Sequence, residues 1–167
     1  KKLGAYFTPS AICDYLIDGI HKEDNKLWGK IAFDPTCGTG QFLLSYLRKI
    51  SSEQDGYNKI EKFICGIDLE PVALFITSYR IKIFVSKTYN VKLSTNSLAL
   101  FCYNFTNIKH IKILRSKLKK IDIAIGNPPF GGETNTCALY NNTWQSCLNN
   151  IVDFTQNLSI GFVLPVS

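Results

Sequence analysis

The sequence has no methionine, two tryptophans and only two histidines, His21 and His110. Its six cysteines, at 13, 37, 65, 102, 137 and 147, form no C-x-x-C pair and share no metal-ligand spacing with the histidines. A zinc site is therefore not expected. Free thiols in a reducing cytoplasm fit this pattern best. Long apolar stretches are missing as well. The longest, "IDIAIG" and "IGFVLPV", fall far short of a membrane span. No signal peptide opens the chain, which starts "KKLGAYFTPS" without an initiator Met and reads as a piece of something longer.

What is present suits one globular domain. A chain of 167 residues with 46% hydrophobic content can bury a core, and it is too short for two comfortable domains. The formal charge of +6 favours an acidic partner, of which nucleic acid is the commonest. Much of that charge lies in "KHIKILRSKLKK", residues 109–120, where Ile108, Ile111, Leu114, Leu118 and Ile121 recur at roughly helical spacing. A solvated helix face and a phosphate-contacting one both fit that run.

Hydrophobic periodicity places helices over 9–20, after "DPTCGTG", over 71–85 and over 138–157. Strands are expected at 30–33, 63–67, 91–95, 121–125 and in "SIGFVLPV". Strands alternating with helices predict an α/β fold with a largely parallel sheet and helices on both faces. Ligands of such sheets bind outside the carboxyl ends of the strands. Four of the five strand ends carry a distinctive stretch: "DPTCGTG", "DLEP", "NSL" and "NPPF".

In "FDPTCGTGQFL", Gly38 and Gly40 fall between a strand and a helix, where glycine lets the backbone approach a ligand. Leu43 stands where a dinucleotide fingerprint needs a third small residue, and no G-K-[S/T] follows. Asp34 before the turn is awkward for a pyrophosphate and suits an ammonium group. Asp68, closing the second strand, can accept from two ribose hydroxyls or cap the helix beginning at Pro71. A ligand with an ammonium group and a ribose but no phosphate describes S-adenosylmethionine better than NAD or ATP.

The stretch "AIGNPPFGG" presents Asn127 before two prolines. Proline fixes its own φ and pushes the preceding residue into extended backbone, so the loop is stiff. The Asn127 side-chain oxygen and the carbonyl of Pro128 are hydrogen-bond acceptors, and Phe130 supplies a flat apolar face. Together they match a planar ring bearing an –NH₂ group. Two acceptors on that nitrogen would localise its lone pair for attack on a methyl group held in line. The alternative is a tight turn that merely ends a strand.

These residues resemble the motifs of amino-directed, S-adenosylmethionine-dependent methyltransferases, above all the adenine-specific DNA methyltransferases of restriction–modification systems. "NPPF" resembles their catalytic motif, "DPTCGTGQFL" their cofactor loop and "GIDLEP" their ribose-binding segment; "GAYFTPS" ahead of the first strand matches the γ-type motif order. The resemblance implies a Rossmann-like methyltransferase domain over 1–167, truncated after the fifth strand and lacking a target-recognition domain. It implies Tyr6, Phe7 and Thr8 at the methionine end of the cofactor, with Thr8 on its carboxylate. Asp34, Pro35, Gly38 and Gly40 would line the methionine, Asp68 the ribose and Leu69 the adenine. Asn96, in "TNSL", stands where the family commonly has an acid contacting the cofactor adenine. Asn127, Pro128, Pro129 and Phe130 would hold a target base rotated out of double-stranded DNA. A recognition or nuclease domain or subunit is an implied partner. Two alternatives remain: the same loop acting on RNA or on a protein glutamine, and a non-catalytic subunit binding cofactor or DNA.

Overall fold

The computed structural model describes residues 7–94, 96–105, 107–118, 120–128, 149–151 and 159–163. Five strands, β1 (Ala32–Asp34), β2 (Ile64–Asp68), β3 (Ala99–Cys102), β4 (Ile123–Gly126) and β5 (Ser159–Phe162), form one sheet in the order β3-β2-β1-β4-β5. All four pairings are parallel. Among the described residues these helices accompany them: α1 (Ser10–Asp24), α2 (Gln41–Ser51), α3 (Pro71–Tyr89) and α4 (Ile108–Lys117). A short 3₁₀ turn, Ile60–Phe63, leads into β2.

Strand side chains alternate between two cores, as a period of two requires. Ala32, Ile64, Ile123 and Ile125 join the core packed by α1, α2 and α3. Phe33, Cys65, Ile67 and Ala124 join a second core with Ile111 and Leu114 of α4. Each isoleucine, leucine or phenylalanine among them stabilises the fold by about 1.5–3 kcal/mol when fully buried. Helix α2 lies deepest, with Phe42 to Leu47 and Ile50 all buried. Its apolar run reads as helix because it sits between other helices and the sheet. Asn25 and Asn90 end α1 and α3 in left-handed backbone, returning their N–H groups to the carbonyls of His21 and Ser86.

The parallel α/β expectation holds, and most boundaries agree within a few residues. The third strand is a correction. The structure forms it at Ala99–Cys102, where Cys65 pairs with Ala99 and Asp68 with Cys102; residues 91–94 are not a strand. Val91 and Leu93 pack against one core only, with Lys92 and Ser94 exposed between and after them, whereas Leu98 and Leu100 face that core and Ala99 and Phe101 the second, as a strand covered on both faces requires. Of the helix expected at 138–157, residues 149–151 are described and helical; the remainder lies outside the described residues.

The basic segment also differs from its periodicity. Helix α4 ends at Lys117, leaving Ile121 buried beyond it. Lys117 Nζ lies 5.5 Å from the centroid of the Phe101 ring and Lys120 pairs with Asp122 at 2.8 Å. Lys109 and Lys112 are exposed. The described cysteines 13, 37, 65 and 102 are free thiols, the first three buried. No described helix is long and apolar enough to cross a membrane.

Candidate active site at the carboxyl edge of the sheet

Strand order reverses between β1 and β4, and the crevice at such a point receives ligands. Three polar side chains converge on it. Asp34 is the last residue of β1, Asp68 the last of β2, and Asn127 follows the last residue of β4.

Asp34 is 1% exposed. Its Oδ1 accepts from the Thr36 N–H at 3.0 Å. Burial pushes its carboxyl up to about 8, against the lowering effect of that hydrogen bond, and the neighbouring Asp68 adds to the rise. Pro35, buried beside it, stiffens the turn. A buried acid with no cation beside it among the described residues is suited to receive one.

Asp68 ties the site together. One carboxylate oxygen accepts from the Gly38 N–H at 2.7 Å, the other from the Glu70 N–H at 2.9 Å. Glu70 is the N-cap of α3 and no side chain caps that helix, so Asp68 is not its cap; each carboxylate oxygen keeps a further lone pair for a ligand. Leu69, next in the chain, is 56% exposed and offers an apolar surface beside that carboxylate.

The two glycines of the turn have different jobs. Both have positive φ, +50° at Gly38 and +79° at Gly40. A Cβ on Gly38 would meet nothing within 4 Å, so this glycine borders open space. A Cβ on Gly40 would strike Thr77 Cγ2 at 2.6 Å. Gly40 is needed for close packing against α3, and Gly38 fits the ligand-approach reading.

Helix α3 grips this turn with two residues that no sequence signal marked. The Thr77 hydroxyl donates to the Gly38 carbonyl at 2.8 Å. Arg80 donates to the Thr39 carbonyl at 2.6 Å and, through its other terminal nitrogen, to Gln41 Oε1 at 2.7 Å. Thirty-nine residues separate Thr77 from Gly38, so only the fold reveals the pairing.

Asn127 is held from two sides. Its Nδ2 donates to Thr8 Oγ1 at 3.1 Å, and its backbone carbonyl accepts from the Thr36 hydroxyl at 3.4 Å. Its Oδ1 is buried and has no hydrogen-bond partner among the described residues. A buried acceptor left unsatisfied costs about 1–3 kcal/mol, so its presence points to a missing donor. Pro128 is buried. Phe7 is 77% exposed at the same N-terminal segment as Thr8.

Asn96 is not brought to these residues. It precedes β3 by three residues, at the amino edge of the sheet, and is exposed. Asp34, Asp68 and Asn127 occupy the opposite edge, so the shifted strand separates Asn96 from them. Tyr6, Pro129 and Phe130 lie outside the described residues. Among the described residues no cluster of His, Cys, Asp and Glu could hold a metal.

The orphan amide oxygen calls for a donor of its own, while the buried acid, the acceptor at Asp68 and the open side of Gly38 fit a ligand with a cationic amino group and hydroxyls. They fit S-adenosylmethionine.

A family model described as N-6 DNA Methylase matches residues 1–165. The methylase subunit of the type I restriction enzyme MjaIX from Methanocaldococcus jannaschii is 31% identical over 74 residues, 44% of this chain and 12% of that protein. The EcoEI methylase subunit from Escherichia coli is 24% identical over 137 residues, 77% of this chain. Among solved structures, a DrdV–DNA complex superposes with a TM-score of 0.71 at 14% identity, over 96% of this chain and 20% of that one. The chain spans 12% and 24% of the lengths of these two curated relatives.

Proposed function

The chain belongs to the N-6 DNA methylase family, and from that premise we propose that it transfers a methyl group from S-adenosylmethionine to the exocyclic amino group of an adenine in double-stranded DNA. Its fold is the Rossmann-like one of S-adenosylmethionine-dependent methyltransferases. The observation that carries the finer reading is Asn127, whose buried Oδ1 lacks a donor at the crevice shared with Asp34 and Asp68.

When bound, the cofactor supplies a methyl group on a positively charged sulfur. The chain's own residues do the rest. Asp34 receives the ammonium group of the methionine end, giving up its proton as it does so. Thr8 donates its hydroxyl proton to the carboxylate. Gly38 leaves room for the ligand against the turn, Asp68 accepts from the ribose hydroxyls and Leu69 packs on the adenine ring. Asn127 Oδ1 and the Pro128 carbonyl accept the two hydrogens of the target amine. That would draw the nitrogen lone pair out of the ring for bonding to the methyl carbon as the carbon–sulfur bond breaks and sulfur keeps the electron pair, and the surplus proton on the nitrogen would pass to solvent. Placing the reacting atoms does most of the work, and no strong base is needed. Pro129 and Phe130 complete the loop, with Phe130 stacked on the extruded base.

DNA as the substrate is supported by the relatives, which are methylase subunits of type I restriction enzymes, and by the charge of +6. A recognition subunit or domain is the proposed partner in selecting the sequence. The test is transfer of tritiated methyl from S-adenosylmethionine to duplex DNA by the intact protein. Asn127→Ala should abolish transfer and keep cofactor binding. Full activity in that variant would refute the assignment of the loop.

A further inference from the structure

Both partners of the Thr8–Asn127 hydrogen bond precede a proline. Thr8 is followed by Pro9 and Asn127 by Pro128, so each backbone is held out of the helical region. Thr8 is not spent on capping α1. The N-cap residue is Pro9, and no side chain caps that helix. The Thr8 hydroxyl instead meets Asn127 Nδ2 at 3.1 Å, across 119 residues of sequence. The Thr36 hydroxyl fixes the backbone carbonyl of the same asparagine.

A primary amide has two ends of nearly the same shape and opposite hydrogen-bonding character. A half-turn about its last torsion exchanges them. In one orientation Asn127 offers an acceptor to the target amine; in the other it offers a donor, which repels it. A stiff backbone alone does not decide between the two.

We propose that Thr8 is a positioning residue for Asn127: its oxygen accepts the Nδ2 hydrogen and so commits Oδ1 to the target amine. A hydroxyl has one proton and two lone pairs. Once that proton is donated elsewhere, only a lone pair remains for the asparagine, and the amide has one permitted orientation. The N-terminal segment thereby sets the polarity of a loop that lies at the end of β4. This inference rests on the functional reading above.

The experiment compares wild type, Thr8→Val and Thr8→Ser in the intact protein. Two quantities are measured: the cofactor Kd by calorimetry, and the single-turnover transfer rate with cofactor and DNA saturating. Valine keeps the shape and removes the acceptor; serine keeps the acceptor. Thr8→Val should lower the saturating rate about 10- to 100-fold, since misplacing a reacting group has effects of that size. Thr8→Ser should recover it to within about threefold of wild type, as expected when the acceptor is retained. A raised Kd with an unchanged saturating rate would leave Thr8 a cofactor ligand and overturn the inference. A wild type that methylates no amino group would sink the proposed function itself, whereas an active wild type matched by Thr8→Val removes only the role of Thr8.

Discussion

A carbon atom added to Gly126 would lie 2.8 Å from Asp34 Oδ1 and 3.1 Å from the ring of Phe162. The last residue of β4 is therefore a glycine because the buried acid of β1 fills the space a side chain would need. The two halves of the crevice, the glycine turn after β1 and the asparagine loop after β4, meet at this contact.

Gly126→Ala should accordingly destabilise the protein by about 1–3 kcal/mol, the usual cost of overpacking a filled interior. It should also weaken cofactor binding, because the carboxyl of Asp34 must move. Urea unfolding and calorimetry check the two effects separately. A stable variant with unchanged affinity would show that the contact matters to neither.

Asp34 gives a pH signature. Between about pH 4 and its folded value of about 8, the folded carboxyl holds its proton while the unfolded one releases it. Its contribution to stability is full below pH 4 and falls as pH rises through that window, by on the order of a few kcal/mol in all. Asp34→Asn should remove that slope and leave the unliganded protein more stable near neutrality. Binding of an ammonium-bearing cofactor near pH 7 should release close to one proton in the wild type and almost none in the variant. Calorimetry in buffers of different ionisation enthalpy reads this directly.

The two glycines of the turn should separate under substitution. Gly38→Ala meets only the strain of a left-handed backbone, about 1–2 kcal/mol, and acts chiefly on cofactor affinity. Gly40→Ala adds a clash with Thr77 and should cost about 1–3 kcal/mol more. Combining it with Thr77→Ser, which removes the offending methyl and keeps the hydroxyl, should recover part of that loss. Equal Tm values for the two single variants would contradict this division.

Arg80 reaches the turn through both terminal nitrogens, a geometry that only a planar guanidinium supplies. Arg80→Ala should weaken cofactor binding about tenfold by loosening Thr39 and Gln41, since each hydrogen bond of a charged donor is worth about 1.5–3 kcal/mol. Arg80→Lys should restore little of it. Recovery by lysine would mean that charge, rather than the fork, is what the turn needs.

The sequence by itself determined the architecture and the identity of the main chemical groups. Alternation of apolar strands and helices is a local pattern, and local periodicity already implies which faces must be buried. Strand-end residues such as Asp34, Asp68 and Asn127 were legible because a parallel sheet carries its ligands on one edge. Tertiary structure alone decided the rest. Strand β3 took its place where Leu98 and Leu100 face one core and Ala99 and Phe101 the other, which leaves Asn96 at the far edge. Thr77, Arg80 and the tie between Thr8 and Asn127 depend on contacts between segments 39 to 119 residues apart. No local pattern encodes such contacts, because a hydrogen bond depends on distance in space and the chain must fold before that distance exists.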